Sequence, residues 1–247
     1  MNALGSTRSR ICKDHALIAP ESFVRSTLPG WDNTEIVILI SPQMGAHFTQ
    51  YLAYMGTGAA TGPMAADCER VIYVIDGEVT IEPGHHSLSA GGFAYFPPHA
   101  ETSVRAKGPC GLNVFEKHYV PLTGSAPPRL LWGQEQDVQG MPFLGDPDAV
   151  LKTFLPMQPA FDLAVNLFTF QPGAALPLVE VHVMEHGLLM LEGQGVYRLA
   201  DSWYPVQRGD VIWMAPYCPQ WFVAMGKGPA RYLYYKDVNR APLETCP

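Results

Sequence analysis

Short apolar segments separated by glycine, proline and aspartate make up most of the pattern of hydrophobic and polar positions along this chain. Nine such segments, rich in β-branched, aromatic and leucine residues, lie at 35–40, 50–55, 70–75, 78–82, 163–170, 187–191, 195–199, 211–214 and 230–235. Segments of this length bounded by turn residues are typical of strands in a sandwich or barrel. The sequence has no convincing long helical periodicity. The pattern therefore predicts an all-β fold with frequent turns.

The two halves of the chain repeat one another. Residues 70–80 align with 186–196 at an offset of 116, and residues 91–98 align with 209–216 at an offset of 118. Each half contains an apolar strand, a glycine turn, a second strand, and then a glycine followed seven residues later by a proline. A repeat of this kind indicates two tandem copies of one β unit.

The repeat also predicts the domain organisation. At 247 residues the chain is long enough for two domains that each bury a core. Residues 121–142 lie between the copies and contain four prolines and little strand pattern, which is typical of a linker. We therefore predict an N-terminal domain over residues 1–120, a linker over 121–142 and a C-terminal domain over 143–247.

Candidate metal ligands are concentrated in the C-terminal copy. Glu180, His182 and His186 fall within seven residues. Glu180 and His182 are two apart, so on a strand they project from the same face, and His186 keeps that parity when the chain returns. Gln220 follows the glycine-proline turn, where its amide oxygen can close the site from a neighbouring strand. One carboxylate, two imidazoles and an amide oxygen suit Mn(II) or Fe(II) better than structural zinc.

Structural roles for these side chains remain open at this point. A lone histidine is more often structural than a ligand, and Gln220 can instead cap a turn. The offsets place four residues of the N-terminal copy opposite the candidates: Met64, Ala66, Arg70 and Thr102. Arg70 would bring a positive charge towards any metal. We therefore expect that the N-terminal copy has lost its metal ligands and that the chemistry is confined to the C-terminal copy.

Composition and charge favour a small molecule as the partner. The net charge of −7 and the absence of a basic run speak against nucleic acid or an anionic membrane surface. The apolar runs are far shorter than the ~18 residues of a spanning helix, and the first residues lack the apolar region of a secretory signal. Five scattered cysteines without a C-x-x-C pair indicate reduced thiols. We expect a cytoplasmic protein with a small-molecule substrate.

The residues around the candidate site resemble the two motifs of the cupin family. The matching spacing is set by six residues: Glu180, His182, His186, Gly193, Gly209 and Pro216. Relative to the usual cupin pattern, Glu180 replaces the first histidine, His186 replaces the glutamate and Gln220 replaces the final histidine. This substituted set resembles the (S)-ureidoglycine aminohydrolases, a family of bicupins in purine (allantoin) degradation. The similarity includes the stretches LISPQMGAHF, KHYVPLTG, VEVHVMEHG, LEGQGVYRL and YLYYKDVNR.

The resemblance implies an all-β bicupin fold of two tandem jelly-roll β-barrels, in which the C-terminal cupin carries the active site. It implies hydrolysis of (S)-ureidoglycine to (S)-ureidoglycolate and ammonia, with Glu180 and Lys236 as catalytic residues. The implied Mn²⁺ ligands are Glu180, His182, His186 and Gln220, and the implied substrate-binding residues are Tyr197, Tyr232 and Lys236. Core packing remains the alternative for the tyrosines, and Asp237 or another acidic residue remains an alternative to a substrate carboxylate as the partner of Lys236.

Two other functions remain open at the level of the sequence. One is a different metal-dependent cupin enzyme such as an Fe(II) dioxygenase, which usually has a three-histidine-plus-carboxylate set that this chain lacks. The other is a non-catalytic metal-binding or sugar-binding bicupin, because cupins host many functions. A homo-oligomer is also possible, since Trp203, Trp213 and Trp221 are candidates for an interface as well as for the core.

Overall fold

Extended backbone forms nearly all of the regular structure in residues 6–241, the part of the chain that this computed structural model describes. In chain order the strands are β1 (Arg10–Ile11), β2 (His15–Ile18), β3 (Thr34–Ile40), β4 (Thr49–Met55), β5 (Cys68–Asp76), β6 (Glu78–Glu82), β7 (His86–Ser89), β8 (Gly92–Phe96), β9 (Ser103–Ala106), β10 (Cys110–His118), β11 (Leu131–Gln134), β12 (Met141–Phe143), β13 (Asp146–Thr153), β14 (Leu163–Phe170), β15 (His186–Glu192), β16 (Gln194–Leu199), β17 (Ser202–Gln207), β18 (Val211–Met214), β19 (Gln220–Met225) and β20 (Ala230–Asp237). Short 3₁₀ helices lie at Pro20–Ser22, Pro42–Met44 and Glu135–Asp137. The predicted all-β fold is confirmed, and all nine segments predicted from the sequence fall within strands.

The C-terminal unit combines the described residues up to Phe23 with Gln139–Thr153 and the residues from Leu163 onward. Its larger sheet is antiparallel and has the order β1-β2-β18-β15-β20-β14-β13-β12. Its second sheet has the order β17-β16-β19. One edge of the larger sheet is therefore formed by β1 and β2, which lie near the start of the chain.

The N-terminal unit combines Val24–Val138 with Phe154–Asp162. Its larger sheet has the order β11-β8-β5-β10-β4-β3, and its second sheet has the order β7-β6-β9. These six strands correspond in order to β2-β18-β15-β20-β14-β13 of the C-terminal sheet, with β11 in the position of β2, while β1 and β12 have no counterpart in this sheet. The structural repeat thus explains the sequence repeat. The closed jelly-roll barrels and the domain bounds at 1–120, 121–142 and 143–247 stay predictions.

Glycine at the turn between the paired strands is required in both copies. Gly77 has φ +79° and Gly193 has φ +73°, a left-handed conformation that side chains disfavour. A Cβ on Gly77 would lie 2.6 Å from the carbonyl oxygen of Pro109, and one on Gly193 would lie 2.3 Å from that of Pro229. In each copy this turn packs against the carbonyl oxygen of a proline. This shared constraint explains why a glycine follows the acidic residue at both positions, which are 116 residues apart.

Residues 121–142 contain more strand structure than the sequence predicts. Strand β11 pairs with β8 in the N-terminal unit, and β12 pairs with β13 in the C-terminal unit. The sequence shows little strand pattern here, because strands of four and three residues are too short to show an alternation.

Each unit has its own apolar core. Buried residues of the C-terminal unit include Phe168, Phe170 and Phe222, and those of the N-terminal unit include Ile72 and Val114. Trp213 is buried within the C-terminal unit, whereas Trp203 is exposed. Within residues 6–241, no helix combines the length and hydrophobicity needed to cross a membrane.

Candidate metal centre

Three separate segments of the C-terminal unit bring the candidate ligands together. His186 is the first residue of β15, and Gln220 is the first residue of β19. Glu180 joins Gln220 through two backbone hydrogen bonds of 2.8 and 2.9 Å. His182 lies in the irregular segment between Glu180 and β15. The register of β19 therefore sets the backbone position of Glu180.

The strand predicted to carry both Glu180 and His182 does not form. Only Glu180 has a bridge partner in this segment. The carbonyl of His182 instead accepts a hydrogen bond of 2.7 Å from the backbone N–H of Tyr217, in the turn that precedes β19. A turn therefore holds the His182 backbone, and the alternation argument does not apply to it.

The two imidazoles point their Nε2 atoms at one another. Nδ1 of His186 lies 3.1 Å from the carbonyl oxygen of Tyr235, and Nδ1 of His182 lies 3.2 Å from that of Met184. A carbonyl oxygen can only accept, so each Nδ1 carries a proton and each Nε2 presents a lone pair. The two Nε2 atoms are 3.1 Å apart. Two lone pairs facing one another at this distance repel, and a cation bound by both nitrogens would remove that repulsion.

Burial keeps both rings neutral. It lowers the pKa of His186 to about 3, with a further contribution from His182. Burial also lowers the pKa of His182. Neutral imidazole is the form that binds a metal, so burial prepares the two rings for this role.

Gln220 and Tyr197 extend the cluster. The Gln220 Nε2 atom lies 2.9 Å from Nε2 of His182, and its Oε1 atom accepts a hydrogen bond of 3.3 Å from the Tyr197 hydroxyl. Rotation of the amide by 180° would turn Oε1 towards the imidazoles and supply an oxygen ligand. Gln220 is therefore in reach of the same point as the two histidines.

Glu180 and Lys236 are the charged groups of the site. Burial raises the pKa of Glu180 and lowers the pKa of Lys236, and the attraction between the two groups opposes both shifts. Lys236 lies on β20 directly opposite His186 on β15. Both side chains line the same cavity as the two histidines.

The cavity has a volume of about 170 Å³ and joins these groups to an apolar wall. Tyr197 and Tyr232 line it, as does Tyr234, which the sequence did not single out as a site residue. Tyr234 alternates with Tyr232 and Lys236 along β20, so the strand period was a usable signal for it. Phe143 on β12 also lines the cavity, and no sequence signal marked it, because a three-residue strand is too short to show an alternating pattern.

Comparison with known proteins identifies the family of this chain. The chain is 48% identical over 244 residues to (S)-ureidoglycine aminohydrolase of Arabidopsis thaliana, with 97% of the chain and 80% of that protein covered. It is 37% identical over 232 residues to (S)-ureidoglycine aminohydrolase of Escherichia coli K12, with 91% and 88% covered. The chain belongs to the (S)-ureidoglycine aminohydrolase family. The cupin domain family model matches residues 166–235, which span the strands around the candidate site.

A solved structure agrees with the fold of this (S)-ureidoglycine aminohydrolase family member. It is described as a putative glyoxylate-induced protein from Pseudomonas aeruginosa and superposes with a TM-score of 0.89 at 32% identity. The match covers 98% of this chain and 94% of that one. The similarity thus extends through both units rather than the cupin match alone.

In this member of the (S)-ureidoglycine aminohydrolase family, the matching place in the N-terminal unit is filled by an ion pair. Arg70 stands where His186 stands in the other copy, and its guanidinium contacts the Glu116 carboxylate. It also donates to the carbonyl oxygen of Gly62 at 3.0 Å and lies over the Trp31 ring at 5.4 Å. Arg70 therefore has enough partners inside its own unit to take the place of a bound cation.

Proposed function

We propose that this chain hydrolyses (S)-ureidoglycine to (S)-ureidoglycolate and ammonia, in allantoin degradation, with Mn²⁺ as the cofactor. Family membership supports the reaction. The observation that carries the metal is the pair of imidazole Nε2 lone pairs 3.1 Å apart, each ring fixed through its other nitrogen by a carbonyl oxygen. The ligands in this proposal are Glu180, His182, His186 and Gln220.

The donor set fits the proposed metal. A carboxylate, two neutral imidazoles and an amide oxygen are borderline to hard donors, and no thiol lines the cavity among the described residues. When bound, the ion acts as a Lewis acid that anchors the substrate and lowers the pKa of water. The protein's part is to hold the ligands in place and to move protons.

The reaction needs one proton donor and one proton acceptor. The bond between the reacting carbon and the amine nitrogen breaks, a bond to a water oxygen forms, and a water proton leaves with the amine as ammonia. Glu180 is our candidate for this transfer. Its carboxylate lines the cavity, where an oxygen that the ion does not bind could accept a proton and return it.

Lys236 and the tyrosines are suited to holding the substrate. The Lys236 ammonium faces the cavity beside Glu180 and offers a partner for the substrate carboxylate. Burial raises the pKa values of Tyr197 and Tyr232, so both hydroxyls stay protonated and donate hydrogen bonds. A cavity of about 170 Å³ suits a small, polar substrate of this kind.

The deciding experiment measures ammonia release from freshly generated (S)-ureidoglycine. The purified protein is assayed after loading with Mn²⁺ and after removal of metal by a chelator, and the chirality of the product is followed. We expect fast release only in the loaded protein, with (S)-ureidoglycolate as the single product enantiomer.

A rate equal to the spontaneous background in the loaded protein would overturn the proposal. Oxygen uptake in the same assay would instead indicate a dioxygenase. Metal binding without any turnover would indicate a non-catalytic binding protein.

A further inference from the structure

A second cluster of metal-ligating side chains lies in the C-terminal unit, outside the cavity of the candidate metal centre. Asp14, His15 and Cys218 each offer a ligand atom, and these atoms all lie within 4.8 Å of one another. The His15 and Cys218 side chains are buried, whereas the Asp14 carboxylate is 48% exposed. We propose that these three side chains form a site for a zinc-like divalent ion.

Backbone hydrogen bonds hold the three residues in place without a metal. The backbone N–H of Cys12 donates to the carbonyl oxygen of His15 at 2.9 Å, which closes the turn between β1 and β2. The N–H of Ala215 donates to the carbonyl oxygen of Asp14 at 2.9 Å, and the N–H of Cys218 donates to that of Ala215 at 3.1 Å. Two turns therefore present the ligands to one another, and the site is preorganised.

The surroundings of His15 match those of a metal-binding imidazole. Its Nε2 lies 2.8 Å from the Tyr204 hydroxyl, and its Nδ1 lies 2.8 Å from the Asp14 carboxylate. A metal-binding histidine usually donates its other N–H to a fixed acceptor, which sets its tautomer. In the metal-free protein the Asp14 carboxylate can only accept, so the Nδ1–H of His15 donates to it and Nε2 accepts from the Tyr204 hydroxyl. A divalent ion would displace the Nδ1 proton, and His15 would then bind the ion through Nδ1 and donate its Nε2–H to the Tyr204 oxygen.

The ligand chemistry separates this site from the candidate metal centre. Thiolate is a soft ligand that selects zinc or cobalt over manganese, whereas the other centre offers only nitrogen and oxygen. Binding releases the proton of the Cys218 thiol, which in the metal-free protein donates to the carbonyl of Pro219 at 3.7 Å. The half-exposed Asp14 leaves a route for the ion and a position for a water ligand.

The location suggests what the ion does. Cys218 lies in the turn from Ala215 to Gln220, and the same turn binds the backbone of His182 through Tyr217. An ion held between this turn and the β1–β2 turn would fasten the N-terminal segment to the turn that positions Gln220. We therefore expect Zn²⁺ to raise the melting temperature of the full chain.

The test uses Co²⁺ as the probe, because a thiolate bound to Co²⁺ gives a near-ultraviolet charge-transfer band that nitrogen and oxygen ligands do not. We expect the full-length protein to develop this band and to saturate it at one ion per chain. Cys218→Ser should abolish the band. Cys68→Ser is the matched control, since Cys68 lies in a separate cluster with Asp67 and His118, and it should leave the band unchanged.

Absence of the band in the full-length protein, or its survival in Cys218→Ser, would overturn the proposal. Two further variants keep the test valid if Cys218→Ser folds poorly. Asp14→Asn removes the charge of a proposed ligand and Tyr204→Phe removes the hydrogen-bond partner of His15, and each should weaken Co²⁺ binding on the order of 10- to 100-fold. Unchanged affinity in both variants would equally contradict the site. These readouts do not depend on ammonia release or on Mn²⁺.

Discussion

At the scale of single residues, the direction of a few lone pairs and charges determines what the candidate metal centre can do. Carbonyl oxygens of Met184 and Tyr235 accept hydrogen bonds from the Nδ1–H groups of the two histidines, which leaves both Nε2 atoms facing inward. Burial then keeps the rings neutral. Glu180 and Lys236 add one negative and one positive charge to a mostly apolar cavity.

We predict that Glu180→Gln reduces turnover by on the order of 100-fold or more, because the amide cannot take up and return a proton. Mn²⁺ content and the rate of ammonia release are measured on the same preparation. Glu192→Gln is the control, since Glu192 lies at the far end of β15 and outside the cavity. A variant that keeps both the metal and full turnover would remove Glu180 from proton transfer.

Lys236→Met should lower kcat/KM by about 10- to 100-fold, the value of a charge-assisted hydrogen bond to a substrate carboxylate. Steady-state kinetics with (S)-ureidoglycine measure the change. Lys107→Met serves as the comparison, because Lys107 is an exposed residue paired with Glu78 in the N-terminal unit. An unchanged kcat/KM for Lys236→Met would show that Lys236 does not hold the substrate.

At the scale of elements, the C-terminal unit depends on a segment from the start of the chain. Strand β2 pairs with β18, which in turn pairs with β15 and its first residue, His186. Arg8 reaches the fully buried carboxylate of Asp210 through two hydrogen bonds of 2.7 Å. These contacts join residues 202 positions apart and fix the edge of the sheet that carries the site.

Arg8→Ala should therefore destabilise the protein by roughly 3 kcal/mol, because it leaves a buried carboxylate without its charge partner. Arg25→Ala is the matched control, since Arg25 and its partner Glu35 are both more than half exposed and such pairs are worth less than about 1 kcal/mol. Denaturant unfolding of the two variants gives the comparison. Equal losses of stability in both would contradict a special role for the Arg8 contact.

In the N-terminal unit, two buried carboxylates share one lysine. Lys117 Nζ donates to Asp162 at 2.6 Å and lies 3.9 Å from Glu69. Glu69 also accepts a hydrogen bond of 2.7 Å from Tyr95. Burial, followed by the neighbouring Asp162, raises the pKa of Glu69 to about 9, so Glu69 is protonated at neutral pH.

This protonation makes stability depend on pH in a defined direction. The pKa of Glu69 rises from 4.5 to about 9 on folding, so the folded state binds the extra proton and stability falls as the pH rises between these values. Glu69→Gln mimics the protonated carboxyl and should flatten this decline, with a higher melting temperature at alkaline pH. Thermal melts across the range test it, with Glu82→Gln at an exposed ion pair as the control. An unchanged decline in Glu69→Gln would show that Glu69 is ionised in the folded protein.

At the scale of the whole molecule, the chain contains two copies of one β unit whose interiors hold different polar groups. The C-terminal copy leaves two imidazole lone pairs and a cavity in the place where the N-terminal copy has the Arg70–Glu116 pair. The strand order and the glycine turn are common to both copies. The copies therefore share a fold and differ in the groups that fill its interior.

We expect the Mn²⁺ content to follow this division. His186→Ala should abolish Mn²⁺ binding at the candidate centre, because it removes a ligand. Arg70→Met should lower stability while the Mn²⁺ content of the folded protein stays the same. Equilibrium dialysis with Mn²⁺ measures the metal content of both variants. Loss of Mn²⁺ from folded Arg70→Met would indicate that the N-terminal unit contributes to metal binding and would contradict the proposed centre.

The sequence by itself determined the features that depend on local pattern. Short apolar segments and turn residues were enough for the all-β fold, and glycines at fixed spacing were enough for the repeat. The clustering of Glu180, His182 and His186, with their resemblance to a family motif, marked the candidate site. Each of these signals is a local pattern of residue types, and such a pattern marks an element or a candidate site even where, as at Glu180 and His182, the predicted strand does not form.

Only the tertiary structure decided the features that depend on contacts between segments far apart in the sequence. Strand β2 joins the C-terminal sheet through backbone hydrogen bonds that nearly any residue type can make, so no pattern marks it. Residues 154–162 join the N-terminal unit through side-chain contacts with residues far away in the sequence, among them the Asp162–Lys117 ion pair and the stacking of Phe154 on Phe93. The same holds for the imidazole orientations, which carbonyl oxygens set, and for the meeting of Asp14 and His15 with Cys218. Backbone N–H and C=O groups are the same in nearly every residue, and residues far apart in the sequence show no spacing pattern. Contacts of both kinds are therefore visible only in the folded chain.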